Sequence, residues 1–413
     1  MEKIKSQMLA VPADSSEIED PRLLEKRLRE SADFQVESME FKEDGMRLGI
    51  LWGEETFSAE IYPTDFEIPE LYRCQHFFPD LDIEAIQKVQ CGLAVEMMFG
   101  GDALSSYHLQ LKLIHAMLPD ALAVIDDSSE KILSGRWAAL AAMSKVPPAP
   151  RYLYTAQAVA GEEEDACVWL HTHGLNRCGR PELEVLNSNK ENCQEHYNVL
   201  ETLANRLLEN EEIPPFGSPC FLAYVAEGMP LVVTLIDWEE AVELYPAEML
   251  GGKNDRQESH NRDTCVVFVY PSQESAEERK FCPLDIYDKY MKGNPVFLIS
   301  VEETARMRAL AVERISYLFE ASENKDNHLL VKLGLQVDEE HKTQSNDKEH
   351  IWFEVLEVSE NRFRAELTQE PYYIKDMHKG FVGEYGPEDV TDWLIYTPEG
   401  RLSPDDVYRL SIS

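Results

Sequence analysis

Three runs of alternating residues, QVESMEF, MRLGILW and TFSAEIY, follow one another between Gln35 and Tyr62, separated only by KEDG and GEE. Alternation puts every second side chain on one face of an extended strand, and connections this short permit only antiparallel neighbours. Such a meander has an apolar face to cover, so it needs another element to pack on. A helix precedes it, with Asp20 as N-cap, Pro21 at the first helical position and then RLLEKRLRESADF. PTDFEIPELY reads as a connection because its prolines interrupt regular structure. The expected result is a small α+β unit over residues 1–80.

Apolar residues at helical spacing in DIEAIQKVQCGLAVEMMF, DALSSYHLQLKLIHAML and SSEKILSGRWAALAAMSK predict three helices, with DALAVIDD as a buried strand. RYLYTAQAVA, ACVWLHT and PELEVLN read as strands, and CQEHYNVLETLANRLLEN as a helix. PCFLAYVAEGMPLVVTLIDW reads as a hairpin turning at Glu227 and Gly228, and 251–263 as a surface loop. Ser300 and Glu303 form a capping box for one long helix ending near Ala321. These elements predict a central α+β domain over residues 81–325. Polar stretches crowd positions 322–349, and IWFEVLEV, RFRAELT, DWLIYT and DVYRLSI then follow as short strands. They predict a small β-rich, barrel-like domain over residues 326–413. The fold class is therefore α+β, with mixed helices and antiparallel sheets ahead of a mostly-β C-terminal domain.

Charge narrows the function. With 39 basic against 77 acidic residues the formal charge is −38, and a phosphate backbone would be repelled. Nucleic acid is thus excluded as an unaided partner, whereas a basic protein is compatible. The N-terminus lacks an apolar signal core and no run reaches the roughly 18 apolar residues of a membrane span. Eight scattered cysteines without a CxxC pair read as reduced, mostly buried thiols, so a cytoplasmic protein without membrane contact is expected. No cofactor motif is found: the GGK at 251–253 lacks phosphate-loop spacing, and no GxSxG elbow occurs.

WLHTHGLNRCGRPELEV, residues 169–185, is the segment richest in metal-ligating side chains. On a strand, His171 and His173 share a face with Trp169 and could hold one zinc, with Cys178, Glu182 or Glu184 as further ligands. The spacing is similar to that of JAMM-type metalloproteases, with Glu184 at the acid position. Pro181, however, stands where those enzymes carry a serine, and no upstream general base is evident. A hairpin explains the segment more simply: Gly174 and Gly179 bracket a loop, and the imidazoles face Glu182 and Glu184 across two strands. On this reading no catalytic, cofactor-binding or metal-binding residue is assigned. A metal-dependent hydrolase using His171, His173 and Glu184 is the alternative. Farther on, Trp352, Phe353, Tyr372, Tyr373, Trp393 and Tyr396 supply an aromatic cluster, most of it core. Trp393 or Tyr396, if exposed near Glu388, Asp389 and Asp392, would make a protein-binding patch.

EHIWFEVLEV, EPYYI with Lys379-Gly380, and DVTDWLIYTPEGR together resemble the family known as domain of unknown function 2314, over about residues 327–413. The preceding region, about 1–320, resembles domain of unknown function 4026, which commonly precedes it. THGLNRCGRPELEV is more weakly similar to domain of unknown function 4261, over about 100–240. The resemblance carries no catalytic residues. It implies bacterial proteins related in part to immunity proteins of toxin systems. The expectation is an uncharacterised cytoplasmic interaction protein, non-enzymatic and immunity-like, whose partner is another protein.

Overall fold

The computed structural model describes residues 3–75, 77–161, 167–209, 213–226, 228–247, 249–256, 263–292, 301–342 and 347–410. The chain forms two compact units, one of residues 1–143 and 147–300, the other of 144–146 and 301–413.

The first unit contains two sheets. Strands β1 (Ser6–Val11), β2 (Gln35–Lys42), β3 (Gly45–Trp52), β4 (Glu55–Asp65), β5 (Cys91–Met97), β6 (Ala123–Asp126) and β7 (Lys131–Ser134) build a seven-stranded sheet. Its order is β2-β3-β4-β5-β1-β6-β7, so the first strand lies inside the sheet, antiparallel to both β5 and β6. The expected meander is present as β2-β3-β4. Around this sheet lie α1 (Pro21–Glu30), α2 (Glu70–Gln75), α3 (Ile83–Lys88), α4 (Ala103–Met117) and α5 (Gly135–Met143). Asp20 caps α1 by accepting from the Arg22 and Leu23 amides, and Leu24 and Leu28 are its buried residues. Asp102 caps α4 through the Ser105 amide.

The second sheet uses β8 (Thr155–Ala160), β9 (Cys167–His173), β10 (Glu182–Asn189), β11 (Cys220–Ala226), β12 (Met229–Asp237) and β13 (Thr264–Val269), in the order β11-β12-β13-β10-β9-β8. Only β10 and β13 pair in parallel; the other neighbours are antiparallel. Helix α6 (Cys193–Glu209) packs on β10, and α7 (Trp238–Val242), α8 (Gln273–Glu277) and α9 (Asp288–Met291) are short.

The second unit is a helical layer, α10 (Val301–Glu313) and α11 (Ile315–Ala321), on one six-stranded antiparallel sheet. Its strands are β14 (His328–Gln336), β15 (Lys348–Ser359), β16 (Arg362–Leu367), β17 (Val382–Tyr385), β18 (Val390–Thr397) and β19 (Gly400–Leu402), in the order β17-β16-β15-β14-β18-β19. Phe353, Val331, Ile395 and Trp393 are fully buried, and the Trp393 indole N–H donates to Ala311 O of α10 at 2.8 Å.

The α+β class agrees with the sequence reading, while several elements differ from it. The C-terminal sheet is open, with β17 and β19 as edges, so it is not barrel-like. The boundary expected at residue 80 falls within the first sheet, because β4 pairs with β5 from Ala59–Met97 to Asp65–Cys91. The boundary expected at 325/326 separates α10 and α11 from the sheet they cover; the compact units divide at 300/301. CGLAVEM is a strand, since a run buried on both faces has no period to distinguish it from a helix. Lys131–Ser134 is likewise a buried strand, and the helix begins only at Gly135. Pro63 continues β4 because β3 stops pairing at Ile61, leaving no neighbour on that side to need an N–H. The long helix breaks at Arg314, and the DVYR of DVYRLSI belongs to a 3-10 turn over Pro404–Arg409, while residues 411 and 412 lie outside the described residues. Glu227, Ser300 and residues 257–262 lie outside the described residues, and with them the hairpin tip, the capping box and part of the surface loop.

A fragment starting at Asn327 would expose the face that α10 and α11 cover, including the ring of Trp393. We expect a fragment starting at Val301 to unfold cooperatively in urea, and one starting at Asn327 to show no cooperative transition by tryptophan fluorescence. Equal behaviour of the two fragments would contradict this packing.

Candidate functional site

The histidine segment is a hairpin between β9 and β10, with His171 opposite Glu184 and Leu170 opposite Val185. Trp169, His171 and His173 stand in a row on one face of β9, with ring centroids 4.4 Å and then 5.0 Å apart. All three are buried. Glu184, fully buried, accepts two hydrogen bonds from Arg256, Nη1 to Oε1 at 2.8 Å and Nη2 to Oε2 at 2.6 Å. The Trp169 indole N–H adds a third at 3.2 Å. The Arg256 guanidinium lies between the rings of Trp238, at 4.4 Å, and Trp169, at 5.7 Å. Gly251 lets the chain approach: its φ is +83°, and a Cβ there would sit 2.8 Å from Leu186 and 2.9 Å from Trp169.

These contacts decide what the cluster can do. Burial pushes the Glu184 carboxyl up to about 7, while Arg256 and the indole pull it back down. Its oxygens already face a guanidinium, the partner best shaped for a carboxylate, so a metal would have to displace Arg256. Glu182 is committed elsewhere, accepting from Thr172 Oγ1 at 2.7 Å and from the Gly174 and Asn176 amides at 2.9 and 3.0 Å. It closes the loop between the strands. Burial pushes the Cys178 thiol up to about 12, away from the thiolate that metal binding requires. His173 Nε2 lies 3.6 Å from Glu130, which also accepts from Gln157 at 2.8 Å. His171 thus lies across from Glu184 as expected, while His173 meets Glu130, in the turn after β6, and not Glu182 or Glu184. Among the described residues no group of three or more His, Cys, Asp or Glu side chains is arranged to hold a metal.

Two buried networks were not anticipated. Arg177, from the loop that follows β9, is fully buried and pairs with Asp126 of β6 through two bonds of 2.7 and 2.9 Å. It also donates to Ser6 Oγ of β1 at 3.0 Å, and its guanidinium lies over Tyr107 and Phe99 at 5.2 and 5.6 Å. Ser129 donates to the same aspartate at 2.7 Å. Nearby Lys131 is fully buried, donates to Tyr154 O at 2.7 Å and is pushed down to about 7 by burial. In the second network, Ser188 Oγ contacts His196 Nδ1 at 2.7 Å, and His196 Nε2 contacts Asp288 Oδ1 at 2.8 Å. Asn192 holds the other aspartate oxygen at 2.7 Å. The residue types are those of a hydrolase triad, but Ser188 and His196 are each only 1% exposed. A nucleophile must meet its substrate, so this chain of bonds ties β10, α6 and α9 together. No local motif could have revealed either network, because each joins residues far apart in sequence.

The second unit presents the exposed aromatics. Trp393 is 0% exposed and belongs to the core, which removes it as a surface anchor; Tyr396 is 38% exposed. The outward rings are instead Tyr372, 81% exposed, and Tyr373, 45% exposed. Glu349 fixes their backbone by accepting from both amides at 2.8 and 2.9 Å, and the Asp338 amide donates to Tyr373 O at 2.9 Å. Phe381 and Val382, also exposed, lie at edge strand β17. Of the seven cysteines whose side chains are described, Cys178 and Cys265 are buried and the other five half-buried, and all seven are free thiols. No described helix is long and apolar enough to cross a membrane.

These features define an α+β protein in which two buried arginines, Arg177 and Arg256, hold buried carboxylates and which displays exposed aromatic rings on a strongly acidic chain. Residues 6–148 match the N-terminal model and residues 156–268 the C-terminal model of the family described as protein of unknown function (DUF4026), and the chain belongs to that family. The two matches coincide with the two sheets of the first unit. No curated protein and no solved structure matches the chain.

Burial holds His173 down at about 4, below its ordinary 6.5. As pH falls below 6.5 the unfolded chain takes up a proton at this position that the folded chain refuses, so the contribution of His173 to stability should drop until about pH 4, by about 3 kcal/mol. Urea midpoints compared between the wild type and His173→Gln across that range should show this loss only in the wild type. Arg177→Met leaves Asp126 buried and unpaired, and should cost about 3–5 kcal/mol in the same assay. Adding Asp126→Leu should recover part of it.

Proposed function

We propose that this chain is a protein-binding module without catalytic activity, taking a basic protein as its partner. The observation that carries this reading is the display of Tyr372 and Tyr373, exposed rings on backbone anchored by Glu349 and Asp338. Tyrosine supplies large contact area at little conformational cost, and a pre-anchored backbone lowers that cost further. The charge of −38 favours encounter with a basic surface and disfavours acidic competitors. The resemblance of residues 327–413 to domain of unknown function 2314, and the weaker one of the central hairpin to domain of unknown function 4261, supports a bacterial, cytoplasmic, immunity-like role. A toxin that attacks nucleic acid is a fitting partner, since such proteins carry the opposite charge.

The test is capture from lysate of the native host, followed by binding kinetics with the recovered protein. Association should slow as salt rises, and Tyr372→Ala with Tyr373→Ala should speed dissociation about tenfold or more. The rival activity, metal-dependent hydrolysis through His171, His173 and Glu184, would take over under a different pair of results. These are stoichiometric zinc that is lost in His171→Ala/His173→Ala, and ester or peptide hydrolysis that disappears with it.

A further inference from the structure

The second unit holds an open cavity of about 730 Å³ where the C-terminal end of α11 meets the turn between β18 and β19. That volume lies within the range of about 300–1,000 Å³ usual for small-molecule sites. Its charged lining has both signs: Glu320 and Glu323 from the end of α11 and the turn after it, Glu399 from the strand turn, and Arg409 from the closing 3-10 segment. Oppositely charged side chains that share a cavity gain by closing on one another. Here Arg409 reaches none of the three carboxylates within ion-pair distance, and none of the four makes a side-chain hydrogen bond among the described residues. The four charged residues come from three different segments, and the three glutamates are exposed. Tyr317 and Leu402 add an aromatic and an aliphatic surface between them.

A molecule that satisfies this lining must carry one anionic group for Arg409 and a cationic group for the glutamates, joined by an apolar stem. We propose that the cavity binds a basic α-amino acid, either free or as the C-terminal residue of a peptide. The carboxylate pairs with the Arg409 guanidinium, whose planar fork matches it. The side-chain guanidinium or ammonium lies among Glu320, Glu323 and Glu399, and the methylene stem rests against Tyr317 and Leu402. This site goes beyond the protein-binding reading and does not depend on it.

Isothermal titration of the full chain with L-arginine tests the proposal, with citrulline as the neutral-side-chain control and arginine amide as the control lacking the carboxylate. Arginine should bind saturably, and each control should bind about tenfold more weakly, the effect of one lost charged contact. Arg409→Gln should erase the difference between arginine and its amide, and Glu323→Gln with Glu399→Gln should erase that between arginine and citrulline. The peptide Gly-Gly-Arg distinguishes the sources: binding as tight as arginine assigns the site to a chain end, and weaker binding assigns it to the free amino acid. Absence of saturable arginine binding, or equal binding of arginine and citrulline to the wild-type protein, overturns the proposal without relying on any variant.

Discussion

The ion pair between Arg177 and Asp126 sits where the two sheets of the first unit meet, and the arrangement of that unit depends on it. Both side chains are sealed from water. Such a pair gains little over apolar packing while intact but leaves an uncompensated charge when broken, so it penalises every alternative arrangement of the two halves. Its geometry draws on four places in the chain: the aspartate at the end of β6, the arginine after β9, Ser6 on β1, and the rings of Phe99 and Tyr107. The boundary between the two family matches, 148 to 156, lies between the sheets that this pair joins.

A second buried arginine repeats the arrangement within the other sheet. Arg256, held between Trp169 and Trp238, satisfies Glu184 much as Arg177 satisfies Asp126. Both guanidiniums thus combine a bidentate carboxylate with aromatic faces, the environment in which arginine loses least on leaving water. An acidic chain keeps some of its few cations inside. Each takes a carboxylate inside with it, so the exposed residues keep the net charge of the chain.

What could be read from the sequence follows from how local the signal is. The meander at 35–62, the Asp20 cap and α6 were legible, because alternation, capping and helical spacing are written within a few residues. The strand CGLAVEM was not, since burial on both faces removes its period. The hairpin around His171 and His173 was foreseen in outline, with Gly174 and Gly179 bounding its loop. His171 does lie across from Glu184, but the binding of that carboxylate by Arg256, 72 positions away, and the contact of His173 with Glu130 were not legible. Neither Ser188, His196 and Asp288 nor Arg177 and Asp126 carried a motif, because each set is assembled only by the tertiary fold. Among the aromatics, composition predicted a core and an exposed remainder but could not say which was which. Trp393 is inside because β18 alternates it toward α10, and Tyr372 is outside because it lies on a loop.

The position of β1 has a consequence for how the chain is made. It is synthesised before both of its neighbours, β5 and β6, so its pairing on both sides, Ser6 with Met97 and Met8 with Asp126, is complete only after more than a hundred further residues. Until then the meander β2-β3-β4 exists with one long open edge, the one later taken by β5. Closure of the sheet is therefore a late, non-local step, of the kind that slows folding. An apolar strand that waits this long for its place is also the segment most in need of shielding in the nascent chain.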